Sequence, residues 1–210
     1  MKSPRARLFV ALELPDGVRR EITAWQRGLT DPALRPVRAE SLHLTLVFLG
    51  YQAERDIPEI AEAALDVEAG APEVRLGPEA VGVPKGRARP RLFALEAHSE
   101  GLVALQAALE AKLVRARFHE AGKRPFWPHL TVARVRPEKR GGRRPALVRE
   151  PPGPLPEHTF FFRPFPCVRL VLFRSRLRRS GAEYESMAEL ELPTAETRER
   201  YIRWQMRSPT

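Results

Sequence analysis

Apolar and polar positions along the chain follow two periods. LFVALEL (8–14), LHLTLVFLG (42–50), EVRLGPEAVGV (73–83), RLFALEA (91–97) and HLTVARV (129–135) have the alternation or the apolar density of strands. Gly50 is expected to end the second of these. Helical spacing is predicted from Pro15-Asp16 to about Leu29, and from Arg55 to Val67 with Ile57, Ile60, Ala61, Ala64 and Leu65 on one face. It is clearest over 99–117, where Leu102, Leu105, Leu109 and Leu113 form a core stripe. Three further strands are predicted in HTFFFRPF (158–165), VRLVLFRS (168–175) and YESMAELEL (184–192), and a capped helix in TAETRERYIRWQM (194–206). The segment 136–157 is dense in Arg, Pro and Gly and reads as a long mobile loop. Strands outnumber helices, which points to an α+β fold with antiparallel sheets. At 210 residues the chain suits one domain, here 1–192, with 193–210 as a helical extension.

Composition adds a partner. The formal net charge is +10, carried by 31 Arg and 5 Lys against 26 acidic residues. Such a surplus favours an anionic ligand, nucleic acid first, although arginine also serves solubility and by itself specifies nothing. The planar guanidinium can grip two phosphate oxygens at once. The basic loops PKGRARPR (84–91) and EKRGGRR (138–144) are candidate arms for a nucleic-acid backbone. Cys167 is the sole cysteine, so no internal disulfide can form, and its apolar run suggests packing and not nucleophilic chemistry. The apolar start is cut by Glu13 and Pro15, too early for a signal peptide, and no run is long enough to cross a bilayer. A soluble, cytoplasmic protein is expected.

One triplet occurs twice: His43-Leu44-Thr45 and His129-Leu130-Thr131, each inside an apolar run. Positions i and i+2 of a strand share a face, so each strand would present an imidazole and a hydroxyl about 7 Å apart, with the leucine packed behind. A hydroxyl can donate to a phosphate oxygen, and an imidazole with a pKa of about 6.5 can move protons near neutrality. Two such strands side by side would flank one phosphorus with two imidazoles, one to take a proton from water and one to give a proton to the departing oxygen. A single histidine in a strand would more readily be read as packing; the repeat is what points to chemistry.

Metal chemistry would require a third ligand at recognisable spacing. His98, His119 and His158 lie outside any HxH or HExxH pattern and read as structural or surface residues. No P-loop, dinucleotide glycine fingerprint or Gly-x-Ser-x-Gly elbow occurs. No metal and no cofactor is expected.

The paired triplets, within SLHLTLVFLG (41–50) and RPFWPHLTVAR (124–134) and together with RLFVALELP (7–15) and LVLFRSRL (170–177), resemble the signatures of the 2H phosphoesterase superfamily. Within it they are most similar to the bacterial and archaeal RNA 2′,3′-cyclic phosphodiesterases, also called 2′-5′ RNA ligases. The resemblance spans roughly 7–192. It implies a two-lobed, LigT-like fold with a pseudo-two-fold axis, antiparallel sheets lining a central cleft and helices outside. It implies metal-independent hydrolysis of a 2′,3′-cyclic phosphate at an RNA end to a 2′-phosphate, with reversible 2′-5′ ligation as a further reaction. By the same resemblance His43 is the proton donor and His129 the proton acceptor, roles the sequence alone leaves exchangeable, while Thr45, Thr131 and Arg134 bind phosphate.

Arg134 lies five residues after His129, so a regular strand would aim it at the opposite face; it joins the site only if the strand bends or bulges. Phe48 stands in the same relation to His43 and reads as ordinary core. Arg124 and Trp127 are candidate RNA contacts, by charge and by base stacking. The expected partner is RNA with a cyclic phosphate end, tRNA-like fragments included, met by a monomeric chain without a membrane. Two alternatives remain: a 2H enzyme for a small cyclic nucleotide or 2′-5′ oligonucleotide, and a non-catalytic RNA-binding module.

Overall fold

The computed structural model describes residues 4–139, 141–156, 163–178 and 181–197. Its elements are β1 (Arg5–Glu13), α1 (Asp16–Gln26), β2 (Leu34–Pro36), β3 (His43–Ala53), α2 (Ile57–Leu65), β4 (Glu73–Val83), β5 (Leu92–His98), α3 (Glu100–Arg115), β6 (His129–Val135), β7 (Phe165–Pro166), β8 (Arg169–Arg178) and β9 (Gly181–Glu191). Every strand pairing is antiparallel, and the order is β7-β4-β5-β6-β3-β1-β8-β9 with β2 beside β6.

The two triplet strands, β3 and β6, stand at the centre of this order and meet through one register pair, Leu44 opposite Leu130. On either side the pattern repeats. Ala11-Leu12-Glu13 of β1 faces Thr45-Leu44-His43, and Ala94-Leu95-Glu96 of β5 faces Thr131-Leu130-His129. An Ala-Leu-Glu segment therefore backs each His-Leu-Thr segment, and this second repeat is legible in the sequence once the pairing is known. The two-lobed, pseudo-symmetric α+β expectation holds, with the lobes joined as halves of one continuous sheet.

The main core lies on the leucine side of the central strands. Leu44 and Leu130 are 1% and 0% exposed and cluster with Ile22 of α1, Ile60 of α2 and the Leu102, Leu105, Leu109 and Leu113 stripe of α3. Burying a stripe of this kind, at about 25 cal/mol per Å², fixes the face each helix presents. Ser99 caps α3 by accepting from the Leu102 N–H at 3.1 Å, and Lys112 and Arg115 fall in its last turn, where cations favour the helix dipole. On the opposite face of the sheet a small cluster of Phe9, Ala11, Val171 and Phe173 is covered by Tyr184. Cys167 is fully buried, and desolvation pushes its thiol up to about 12, in keeping with packing.

Two expectations change. Gly50 does not end its strand: with φ +70° it sits at a register shift, and β3 continues to pair with β1 as far as Ala53 opposite Arg5. The 136–157 segment is not a free loop. Arg136 and Glu138 pair with Ala146 and Arg144 through backbone hydrogen bonds, Asp31 accepts from the N–H groups of Arg149 and Glu150, and Leu155 is buried. Composition suggested mobility, but the backbone donors find partners. Of HTFFFRPF, residues 158–162, including His158, lie outside the described residues; among those described nearby, Phe165–Pro166 forms the strand β7. The C-terminal extension is described to Thr197, where Thr194 accepts from the Thr197 N–H at 3.3 Å as a helix cap would; the remainder lies outside. Among the described residues no helix is long and apolar enough to cross a membrane.

Candidate active site

Alternation sends His43 and Thr45 of β3, and His129 and Thr131 of β6, away from their buried leucines and into one cleft of about 220 Å³. With Leu44 opposite Leu130, the antiparallel register extended by one residue each way puts His43 across from Thr131 and Thr45 across from His129. The cleft is completed by Arg7 and Phe9 of β1, Phe48 of β3, Leu92 of β5, Arg134 of β6, Ser175 of β8 and Tyr184 of β9, with Val37 and Ser41 at its edge.

Both imidazoles are held in the same way. His43 Nδ1 lies 2.8 Å from the Ser41 carbonyl and His129 Nδ1 lies 2.8 Å from the Trp127 carbonyl, in each case two residues upstream. A carbonyl only accepts, so Nδ1 carries a proton in both rings. Each neutral ring then keeps its lone pair on Nε2, and each protonated ring has an Nε2–H to donate.

Their surroundings differ. His43 sits among aromatic rings, with Phe9 at 4.9 Å, Tyr184 edge-on at 5.1 Å and Phe173 at 6.2 Å between centroids. Burial there is the main cause that lowers its pKa to about 4; the Ser41 hydrogen bond opposes the shift, and the positive charges of Arg134 and His129 add to it. In the unliganded cleft His43 is therefore neutral at pH 7. His129 stacks on Trp127 at 4.4 Å and 15°. The Trp127 indole N–H donates to Glu96 Oε1 at 3.2 Å, which also takes Lys85 Nζ at 2.6 Å, and Lys85 lies 4.9 Å over the indole. The Lys85 hydrogen bond is the main cause that holds the Glu96 carboxyl below its usual range. On the other side, Glu13 opposite His43 engages Arg169 at 3.2 Å and Arg19 at 3.8 Å.

The puzzle of Arg134 is resolved by a β-bulge. Ala94 faces Thr131 but Phe93 faces Ala133, which leaves Val132 as an extra residue in β6. The bulge reverses the alternation, so Arg134 returns to the cleft face with the two triplet side chains. β3 does the same: Ala11 faces Thr45, Val10 faces Val47, and Leu46 is the extra residue. Phe48 is thereby turned out of the core, 46% exposed and lining the cleft, contrary to its expected packing. The guanidinium of Arg7 lies 4.5 Å over its ring and donates to Ser175 at 3.2 Å. Gln26 of α1 supports the β6 bulge from behind: its buried side-chain amide donates to the carbonyls of Val132 at 2.7 Å and Val37 at 3.0 Å.

Arg7 and Tyr184 belong to the cleft and escaped the sequence reading, because neither falls in a repeated motif. Trp127 does not line the cleft; its ring stacks on His129, and Lys85 Nζ lies 4.9 Å from the ring centroid, so it supports the imidazole. Arg124 is exposed in the 118–128 connection and also lies off the cleft lining. Of the two basic loops, 84–91 is tied to the 136–146 arm by Arg89, which donates to Glu138 and to the Pro145 carbonyl, each at 2.9 Å. His119 pairs with Glu110 at 3.2 Å, and His98 is exposed at the end of β5. Among the described residues no three His, Cys, Asp or Glu side chains cluster as metal ligands would.

Residues 12–94 match the family model described as LigT like Phosphoesterase. An RNA 2′,3′-cyclic phosphodiesterase of Escherichia coli is 33% identical over 157 residues, covering 73% of this chain and 81% of that protein. One from Thermus thermophilus is 27% identical over 192 residues, covering 89% and 90%. The crystal structure of E. coli LigT complexed with 3′-AMP superposes with a TM-score of 0.67 at 26% identity, covering 90% of this chain and 99% of that one.

Proposed function

The chain belongs to the LigT-like phosphoesterases, and from that premise we propose that it hydrolyses the 2′,3′-cyclic phosphate at the end of an RNA strand, leaving a 2′-phosphate, without a metal ion. The observation that carries this reading is the pair of imidazoles in one cleft, each with Nδ1 tied to a carbonyl and Nε2 left for the substrate.

In the proposed reaction the cyclic phosphate sits between the two rings, its non-bridging oxygens taking hydrogen bonds from Thr45, Thr131 and Arg134. His129 Nε2 removes a proton from water as the water oxygen attacks phosphorus. The bond from phosphorus to the 3′ oxygen breaks, and His43 Nε2–H gives its proton to that oxygen. One proton enters the pair and one leaves it, so the rings end with their roles exchanged. The donor role requires a protonated His43, whose pKa in the empty cleft is about 4. The negative charge of the bound phosphate raises it, so that the substrate itself helps to charge its proton donor. Arginines around the cleft favour an anionic strand, in keeping with the RNA named for the relatives.

The test is turnover of an RNA oligonucleotide ending in a 2′,3′-cyclic phosphate, in EDTA. The expected product is the 2′-phosphate, with kcat lowered about 10²- to 10⁴-fold in His43→Ala and in His129→Ala. Binding without turnover, or turnover that survives both substitutions, would overturn the reading.

A further inference from the structure

A second chamber of about 260 Å³ adjoins the catalytic cleft and shares Val37, Ser41, Arg134 and Tyr184 with it. To these it adds Arg35, Pro36 and Arg38, from β2 and the turn after it, and Ala182 of β9. We propose that this chamber is a subsite for the phosphodiester immediately upstream of the cyclic end, and that it lets the enzyme select an RNA strand over a cyclic mononucleotide. The proposal rests on the reaction assigned above.

Charge placement is the first argument. Arg35 of β2 stands directly opposite Arg134 of β6 in the antiparallel register. Directly opposed side chains have Cβ atoms about 4.5–5.5 Å apart, and like charges in that position repel. Among the described residues that line the chamber none is acidic. Arg38 has an ion pair with Glu40 at 3.9 Å, both side chains more than half exposed, a geometry that holds a cation weakly and leaves it available to a better anion. Three arginines lining one small volume suit a phosphate, because a guanidinium fork can span two of its oxygens.

Position is the second argument. Arg134 belongs to both chambers, so an anion in the second is one step along a chain from the phosphate between the histidines. A cyclic mononucleotide has its single phosphate in the catalytic cleft and nothing to place here. An RNA strand brings another phosphodiester one nucleotide away. Rigidity is the third argument. β2 is only three residues long and ends in Pro36, yet it is fixed from behind because Gln26 bonds the carbonyls of Val37 and Val132 together. The arginines are therefore carried on backbone that is set before the ligand arrives, which lowers the ordering cost of binding.

The experiment compares wild type with Arg35→Gln, Arg38→Gln and the double variant on two substrates: cytidine 2′,3′-cyclic phosphate and an RNA trinucleotide ending in the same cyclic nucleotide. In the double variant KM for the trinucleotide is expected to rise about tenfold with kcat unchanged, while both constants for the mononucleotide stay as they were. The slope of log KM against log salt for the trinucleotide is expected to fall by about 0.7, the value for one lost phosphate contact on a single strand. Equal weakening of both substrates, or of neither, overturns the subsite. Should wild type turn over neither substrate, the reaction fails and the subsite is judged separately, by fluorescence anisotropy with an RNA trinucleotide ending in a 3′-phosphate. A tenfold loss of its affinity in the double variant, with a native circular dichroism spectrum, supports the subsite, and unchanged affinity overturns it.

Discussion

The two halves of the sheet repeat one backbone plan and fill it differently. Each has a His-Leu-Thr strand backed by Ala-Leu-Glu, a bulge just after the threonine, and a ring nitrogen held by the carbonyl two residues upstream. Around this shared frame, His43 is enclosed by Phe9, Phe173 and Tyr184, whereas His129 lies on a Trp127 that is itself bonded to Glu96 and Lys85. Symmetric backbone brings two imidazoles into one cleft; the surroundings act differently on them, and burial among aromatic rings presses His43 toward its neutral form. In the empty cleft that pressure runs against the donor role proposed for His43, so the charge of the bound phosphate has to offset it before the proposed acid–base pair can work.

The same contrast appears one step after each bulge. Arg134 and Phe48 occupy matching positions and face one cleft, but one brings a charge and the other a ring. If the halves have divided their labour as the surroundings indicate, Arg134→Ala is expected to lower kcat/KM on the cyclic phosphate by about a hundredfold, the scale of losing a charged donor to a phosphoryl oxygen. Phe48→Ala is expected to lower it by less than tenfold. Steady-state kinetics of the two variants in parallel decides the matter, and losses of similar size would mean that the arginine holds no phosphate.

How much of this was visible before the fold was known depends on whether a feature is written in local periodicity. The triplets were, because alternation alone sends His43 with Thr45 and His129 with Thr131 and hides the leucine between them. The helix stripe of Leu102, Leu105, Leu109 and Leu113 was too. The bulges were not: an extra residue leaves only two consecutive buried positions, Leu46-Val47 and Val132-Ala133, which in an apolar strand resemble ordinary core. Only pairing with β1 and β5 reveals them, and with them the true direction of Phe48 and Arg134. Arg7 and Tyr184 reach the cleft from β1 and β9, brought there by sheet order. β2 escaped because three residues with a terminal proline have no period; it exists as a strand through β6. In 136–157, composition reported flexibility where long-range bonds to Asp31 and Arg89 supply order.

The support behind the bulges can be broken unequally as well. Gln26 is 4% exposed and bonds two carbonyls in the half that carries Arg134. Gln52 is less buried and donates to the Leu49 and Phe118 carbonyls in the other half. Losing a buried donor strands its acceptors at a cost of about 1–3 kcal/mol, and less where water can replace it. Gln26→Ala is therefore expected to destabilise the protein more than Gln52→Ala in urea unfolding, and only Gln26→Ala to reduce activity, through the placing of Arg134. Equal costs with no difference in activity would show that the bulge geometry stands without this clamp.

The smallest effect expected is a pH dependence that belongs to one half. Burial depresses His43 from 6.5 to about 4, so the unfolded chain takes up its proton at a pH where the folded chain still resists it. The contribution to stability is complete above pH 6.5 and is lost as the pH falls toward 4. His43→Gln removes a group that penalises the folded state in acid, and its stability relative to wild type is expected to improve by about 1 kcal/mol between pH 7 and pH 5, a figure discounted for the partial exposure of the ring. On a chain of this length that is a rise of about 2–4 °C in relative Tm, readable by thermal melts in matched buffers. The carboxylates that also titrate in this range are common to both proteins and cancel in the difference. A His43→Gln melt that tracks wild type across the whole range would mean that the aromatic enclosure does not desolvate the ring.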